Sequence, residues 1–336
     1  MKYLKIPLYL LILAAVAAAA LHYFNSPPRL MREAVFQVAQ GDSVKAVASR
    51  LKGLNLIESE RFFTAMSSLA KMTQIKQGKY RVTPGLSSYG ILSKLVRGDI
   101  MKARVTIPEG FNIYQLAERL EKQNVAKKDD IIHLATNAPF LRSIGIIAPS
   151  AEGYLFPDTY IFPEESDPRA VLKSMHERLN LVLGQMDLSP MNRLGLDRHR
   201  LLTMASLVEK EAKVDSERPY VAAVFHNRLK RGMKLDCDPT VRYAVKRFTG
   251  PIYLKDLRSQ SPYNTYVHYG LPPTPISSSG KAALMASLNP AESDYLYFVA
   301  RNDGSHFFSR TLGEHNRAVR KYQRGQGNGA ASTAKK

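Results

Sequence analysis

Between Lys5 and Arg29 the chain carries no Lys, Arg, Asp or Glu, and a segment of that kind has few places to go. As a helix, the run from Ile6 to Phe24 would extend about 28 Å, close to the roughly 30 Å of a bilayer's hydrocarbon core. Two readings compete for it. Ala17–Ala20 could offer the small residues of a cleavable signal peptide, whereas His22, Tyr23 and Phe24 suit the interfacial belt of an uncleaved anchor, the reading preferred here. Lys2 and Lys5 on one side are matched by Arg29 and Arg32 on the other. The very short N-terminal flank with its chain amine tips the orientation toward a cytoplasmic N-terminus and a bulk outside.

The remaining length of this 336-residue chain is enough for two domains, and 45% apolar residues argue that they are folded. A formal net charge of +19 calls for an anionic partner: nucleic acid, a membrane surface or an acidic polymer such as a cell-wall glycan. Cys237 is the single cysteine, so no intramolecular disulfide can form, and its default place is a small buried apolar site. Metal and nucleotide motifs are missing. The sequence has no HExxH, no paired Cys, no phosphate-binding glycine loop and no G-x-S-x-G elbow, and its His residues lack ligand spacing.

After the anchor one pattern occurs three times: VAQGDSVKAVASRL from Val38, VTPGLSSYGILSKL from Val82 and IPEGFNIYQLAERL from Ile107. Each copy starts on a β-branched residue and has Gly three residues on (Gly41, Gly85, Gly110). A capping residue follows (Ser43, Ser87, Asn112), and each copy closes on Leu (Leu51, Leu95, Leu120). This is a strand end, a glycine turn, an N-cap and an amphipathic helix. With FQV before its Gly-Asp-Ser turn, the stretch from Phe36 to about Asp99 resembles a LysM glycan-binding module. A small strand–turn–helix domain without glycan affinity is the alternative.

Arg200–Val214 is the stretch richest in chemical implication. At about 100° per residue, Leu201, Met204, Ala205, Leu207, Val208 and Ala212 form an apolar arc, with Thr203, Ser206 and Lys210 opposite. Glu211 falls inside the arc and Glu209 at its edge. A carboxyl group among aliphatic side chains is expensive to ionise, so its pKa rises unless a cation or several donors hold it. Such a group can serve as a general acid near neutral pH; a structural carboxylate paired with Arg is the competing reading.

Other polar constellations lie on predicted loops. Glu152–Tyr160, EGYLFPDTY, packs aromatics, a Pro and carboxylates without helical or strand period. It suits either a sugar-stacking surface or a structural loop crossing the core. Helices are predicted over Ser166–Leu183 and Ser216–Met233, and Asp238-Pro239-Thr240 reads as a turn or N-cap before another. Tyr263, Asn264, Thr265 and Tyr266 crowd one short loop. Tyr295–Ala300 reads as a strand, Gly304–Phe307 as a turn into a second, and Glu314-His315-Asn316 as the opening of the last helix. The tail after Gln323 is low in complexity and is expected to be disordered.

Taken together, MASLVEKEA, EGYLFPDTY, DPTVRYA, YNTY…GLPP and the closing YLYFVA…H…F…HN resemble the MltG (YceG-like) family of endolytic murein transglycosylases, over about Val35–Gln323. The resemblance implies a bitopic inner-membrane protein whose periplasmic part joins a LysM-like subdomain to a catalytic domain. It implies internal cleavage of nascent peptidoglycan strands at the MurNAc–GlcNAc bond, leaving 1,6-anhydro-N-acetylmuramic acid ends and so terminating strand elongation. It places the catalytic acid on Glu211, the residue the helical arc had singled out. Asn264, Tyr266, Asp238 and Glu152 are the candidates for orienting sugar and acid, and Glu209 reads as a solvent-facing or Arg-paired support. Peptidoglycan synthases are candidate partners, with no nucleic acid, metal or cofactor. Two stretches depart from the family pattern. Asp236-Cys237 stands where Gln and then Thr or Ser are usual, and Thr274-Pro275-Ile276-Ser277-Ser278-Ser279-Gly280 where Gly-Pro-Ile-x-Asn-Pro-Gly is usual.

The expected architecture is therefore α+β: an anchor over residues 1–28, a LysM-like subdomain over 29–103, a catalytic domain over 104–323 and a tail over 324–336. Two rivals stand beside this reading. One is a non-catalytic, membrane-anchored peptidoglycan-binding scaffold; the other is a tethered nucleic-acid binder, which charge alone suggests and the carboxylate-rich motifs oppose.

Overall fold

Helix formation in this chain is set largely by capping residues placed just ahead of apolar runs. The computed structural model describes residues 5–27, 33–301 and 303–323; the predicted tail lies outside them. The chain divides into two compact units, the first reaching Ala103 and including Ile161–Glu165, the second comprising the rest.

In the first unit, α1 (Lys5–Asn25) is uncharged beyond its first residue and long and apolar enough to cross a membrane, with residues 8–23 exposed. Its last turn is anchored by contacts within the unit: Phe24 stacks on Phe62, its carbonyl accepts from the Ser88 hydroxyl at 3.0 Å, and Asn25 Oδ1 accepts from the Tyr89 N–H at 2.9 Å. Of the residues read as an interfacial belt, Tyr23 is exposed and Phe24 is partly covered by these contacts. There follow β1 (Ala34–Val38), α2 (Val44–Gly53), α3 (Glu60–Leu69), β2 (Gly78–Val82) and α4 (Ser88–Arg97). β1 and β2 pair antiparallel, with Phe36 opposite Tyr80. Phe36, Val47, Leu51, Phe63, Tyr80 and Leu92 fill one core.

The second unit contains most of β3 (Lys102–Thr106), then α5 (Ile113–Lys122), α6 (Lys128–Leu134) and α7 (Ala138–Ser143). β3 pairs with β4 (Thr159–Pro163), the hydroxyls of Thr106 and Thr159 standing 2.8 Å apart. Next come α8 (Pro168–Gly184), α9 (Pro190–Arg193), α10 (Arg198–Glu211), α11 (Arg218–Lys230), α12 (Asp238–Ala244), α13 (Leu254–Leu257) and α14 (Lys281–Leu288). The strands β5 (Tyr297–Ala300) and β6 (His306–Ser309) form an antiparallel hairpin against α15 (Leu312–Tyr322). The central element is α10, which packs against α11, α12 and α14.

The threefold pattern is present in the structure. Gly41, Gly85 and Gly110 all take positive φ (81°, 84° and 75°). Ser43, Ser87 and Asn112 each accept from the N–H three residues on and start α2, α4 and α5. The closing Leu51, Leu95 and Leu120 are buried.

In α10 the expectation of a polar face is overturned. Every residue from Leu201 to Val208 is buried, Thr203 and Ser206 included. Their hydroxyls escape the desolvation cost by bonding locally, Thr203 to the His199 carbonyl at 2.8 Å and Ser206 to the Thr203 carbonyl at 2.7 Å. Only Lys210 of the supposed polar face is exposed. A helix covered on all sides can sit at the centre of a domain, and this one does.

Two glycines make a quantitative test. A Cβ on Gly85 would meet nothing, so Gly85→Ala is penalised only by its positive φ, about 1 kcal/mol. A Cβ on Gly153 (φ 75°) would lie 2.3 Å from Pro275 Cβ, so Gly153→Ala adds a clash to the φ penalty and should lose about 3 kcal/mol. Denaturant unfolding of the two variants checks the ranking; equal losses would contradict it.

Candidate active site

Glu211 is the last residue of α10, where the helix's negative end makes a carboxylate less comfortable still. The side chain is half-buried. Desolvation raises its pKa from 4.5 to about 7, the Cys237 thiol donates a hydrogen bond that pulls the other way, and the nearby Asp238 charge raises it further. No arginine pairs with it among the described ion pairs. The structural-carboxylate alternative is instead realised at Glu209, whose side chain is 6% exposed, 3.6 Å from Arg218 Nη2, and accepts from the Gly280 N–H at 3.0 Å. Glu209 is thus Arg-paired and buried rather than solvent-facing. The same Nη2 also lies 3.3 Å from the exposed Asp215 carboxylate, while Nε and Nη1 of that buried guanidinium have no hydrogen-bond partner among the described residues.

Cys237 is held in place through its backbone. Its N–H donates to Thr265 Oγ1 at 3.0 Å, its carbonyl accepts from Thr240 Oγ1 at 2.6 Å, and those two hydroxyls meet at 2.9 Å. The preceding Asp236 sits at φ 47°, a conformation non-glycine residues rarely adopt. Its carboxylate is tied to Arg228 Nη1 at 2.9 Å, and the same nitrogen also donates to the carbonyls of Lys234 and Leu235. The charge of Asp236 is therefore matched by Arg228. Asp238, expected at a turn or cap, is the first residue of α12 and caps nothing; its exposed carboxylate accepts from Tyr266 Oη at 2.7 Å. Glu211, Cys237, Asp238 and Tyr266 thus form one connected group at the end of α10.

The other two candidates lie inside the protein. Asn264, with no exposed surface, donates to the carbonyls of Leu257 and Ser259 at 2.9 and 2.8 Å and accepts from the Tyr266 N–H. It shapes the loop that presents Tyr266. Glu152 is 1% exposed, and its Oε2 accepts from the Ile113 N–H and from Tyr243 Oη, each at 3.0 Å. Burial raises its pKa to about 7 against the pull of these donors. Neither side chain offers surface to a substrate here. Most of EGYLFPDTY takes the structural course as well: Tyr154, Leu155, Phe156 and Tyr160 are buried, and Tyr154 Oη bonds His199 Nδ1 at 2.9 Å.

The sequence reading missed Cys237 as a partner of the acid and Tyr243 as the partner of Glu152. Only Cys237 had a local signal, its position beside the Asp-Pro-Thr turn. The departing loop 274–280 is a structural wall: the Ile276 N–H donates to Ser206 Oγ at 3.0 Å, and Gly110 and Ser278 are joined backbone to backbone at 2.8 Å. Among the described residues no three His, Cys, Asp or Glu side chains gather as a metal site would require.

A half-buried, protonatable carboxyl at a helix end, ringed by hydrogen-bonded polar groups within an α+β unit, is a candidate for proton transfer. The chain belongs to the YceG-like family, whose sequence profile matches residues 36–321. It is 36% identical over 304 residues to the endolytic murein transglycosylase of Bacillus subtilis, covering 85% of this chain and 83% of that protein. It is 29% identical over 314 residues to the endolytic murein transglycosylase of Streptococcus pneumoniae R6, covering 84% of this chain and 57% of that longer protein. The crystal structure of a YceG-like protein from Listeria monocytogenes matches with a TM-score of 0.60 at 32% identity, over 85% of this chain and 99% of that one.

Because Glu152 and Glu211 are both raised from 4.5 to about 7, the folded protein holds protons that the unfolded chain has released. The stability this gives is complete below about pH 4.5 and lost as pH rises through about 7. The melting temperature of the full-length protein in detergent should fall across that window. Glu211→Gln should flatten the fall and melt above wild type at pH 8; a variant as steep as wild type would refute the assigned shift.

Proposed function

We propose that this protein is an endolytic peptidoglycan lytic transglycosylase with Glu211 as its single acid–base residue. The observation that supports this reading is that Glu211 alone, of the three raised carboxyls around the end of α10 (Glu152, Glu209 and Glu211), is desolvated with only a thiol to hold it, whereas the other two accept from backbone N–H groups and from a guanidinium or a phenol. Protonated Glu211 gives its proton to the glycosidic oxygen as the C1–O bond of N-acetylmuramic acid breaks. The sugar's own C6 hydroxyl oxygen closes on C1, and the resulting carboxylate takes the hydroxyl proton. The products are a free GlcNAc end and a 1,6-anhydro end; no water is consumed, and Glu211 returns to its starting state. Hydrolytic glycosidases need a second carboxylate to activate water or act as nucleophile. Here the nucleophile is tethered, so proximity replaces that group. Proton transfer alone is involved, which asks for no metal or cofactor.

Asp238 and Tyr266 would contact the sugar beside the acid, while Asn264 and Glu152 act through the loops they hold. The β1–α2–α3–β2 order, with its antiparallel pair, supports a LysM-like reading of residues 29–103, in which this part holds glycan for the catalytic domain of 104–323. α1 would hold the protein in the inner membrane with its N-terminus cytoplasmic and both domains periplasmic, beside the peptidoglycan synthases whose strands it cuts. The net charge then serves a polymer bearing lactyl and peptide carboxylates.

Glu211→Gln keeps shape but cannot deliver a proton, so release of anhydromuropeptides should fall by about 10²–10⁴-fold or more, since one residue serves both halves of the reaction. Glu209→Gln leaves the buried Arg218 with only the exposed Asp215 as counter-charge and should lower the melting temperature while its products keep anhydro ends. Mass spectrometry of peptidoglycan treated with each variant reads both results. Anhydro ends formed by Glu211→Gln at near wild-type rate would overturn the assignment.

A further inference from the structure

Most of the aromatic cluster that the sequence offers for sugar stacking is interior, but a different one faces outward. Tyr114 on α5, Tyr243 on α12, Phe248 just beyond α12 and Tyr263 on the loop before α14 are each half-exposed. Phe248 stacks on Tyr114 with ring centroids 5.7 Å apart and 25° between planes. It lies 6.3 Å from Tyr243, which in turn lies 4.8 Å from Tyr263. These four rings form one continuous ladder. Its assembly depends on Lys246, which adopts φ 52° after the end of α12 and turns the chain so that Phe248 lies beside both Tyr114 and Tyr243. Two rungs are fixed by their hydroxyls, Tyr243 on Glu152 at 3.0 Å and Tyr263 on Thr274 at 2.8 Å.

Cations border the ladder. Lys246 Nζ stands 5.1 Å from the Tyr114 centroid, Arg242 lies on the same helix as Tyr243, and Lys210 is close enough to Arg242 and Glu152 to sense both charges. Among the described residues, no carboxylate lies within ion-pair distance of any of the three. Lys210 is the residue before Glu211, and α12 begins at Asp238 beside the acid. Asp238 and Tyr243 are about 7.5 Å apart along the helix axis, so the ladder begins one short helix away from the proton-transfer site.

Half-buried rings present apolar faces that suit the C–H faces of pyranose sugars, and cations whose partners are carbonyls or a ring rather than a counter-charge suit carboxylates. We propose that Tyr114, Phe248, Tyr243 and Tyr263 form a glycan subsite that receives the strand leading to Glu211. Lys246, Arg242 and Lys210 take the carboxylates of its acidic substituents, so the site prefers a carboxylate-bearing aminosugar polymer over a neutral one. This assignment rests on the transglycosylase reading, which supplies the polymer.

The test uses full-length protein in detergent carrying Glu211→Gln, so that binding is measured without turnover. The probes are uncrosslinked peptidoglycan glycan strands with their lactyl and peptide carboxylates, and neutral chito-oligosaccharides of matched length. Adding Tyr114→Leu and Phe248→Leu, which keep apolar bulk but remove both ring faces, should weaken binding of both probes by about tenfold or more, a loss of at least about 1.4 kcal/mol. Adding Lys246→Asn, which removes the charge but tolerates the positive φ, and Arg242→Gln should weaken only the carboxylated strand and abolish its advantage over the neutral one. Unchanged affinity in the Leu variants, with melting temperatures intact, would overturn the subsite. Equal loss for both probes in the charge variants would overturn the carboxylate role. Cleavage by the Glu211→Gln background would instead overturn the acid assignment, and the ranking of affinities would still judge the ladder.

Discussion

The site depends on taking carboxyl groups out of water around the end of one buried helix. Leu201–Val208 of α10 is covered on every side, Glu209 and Glu211 follow at its end, and Glu152 lies near the intervening Lys210. Each is handled differently. Glu209 is given a guanidinium and a backbone N–H. Glu152 is given a backbone N–H and a phenol, and no surface. Glu211 receives a thiol, a weak donor, and keeps a partly open side. Donor strength, rather than burial alone, separates the proposed acid from the two carboxyls near it.

The bracing has a consistent direction. Arg228 fixes the strained turn at Asp236, which sets Cys237 against Glu211. Thr240 and Thr265 lock the same backbone from the other side. Asn264 shapes the loop that delivers Tyr266 to Asp238. Residues far from any substrate thus hold the geometry that a proton transfer requires.

What could be read from the sequence was local. The three glycine turns with their caps follow from φ and from orphan N–H groups, and all three are in place. The oddity of Glu211 could be read because helical periodicity fixes direction. The burial of Thr203 and Ser206 could not, since it depends on distant parts of the chain, such as the 274–280 loop whose Ile276 N–H donates to Ser206, closing over that helix. Glu152 and Asn264 were seen as chemically able but not as enclosed, because enclosure is a property of the packed unit. The aromatic ladder was out of reach for the same reason: Tyr114, Tyr243, Phe248 and Tyr263 are scattered along the chain and meet only after folding. EGYLFPDTY shows the converse, a dense aromatic stretch whose rings mostly face inward.

The central claim is that Glu211 is protonated near neutral pH because the fold desolvates it. The most direct measurement is a carbon-13 NMR titration of the glutamate side-chain carboxyls in the full-length protein, with Glu211 assigned by the resonance that disappears in Glu211→Gln. The account predicts a midpoint of about 7. A midpoint near the 4.5 of an unperturbed glutamate would mean that the group is already ionised under working conditions, and would contradict the account at its base.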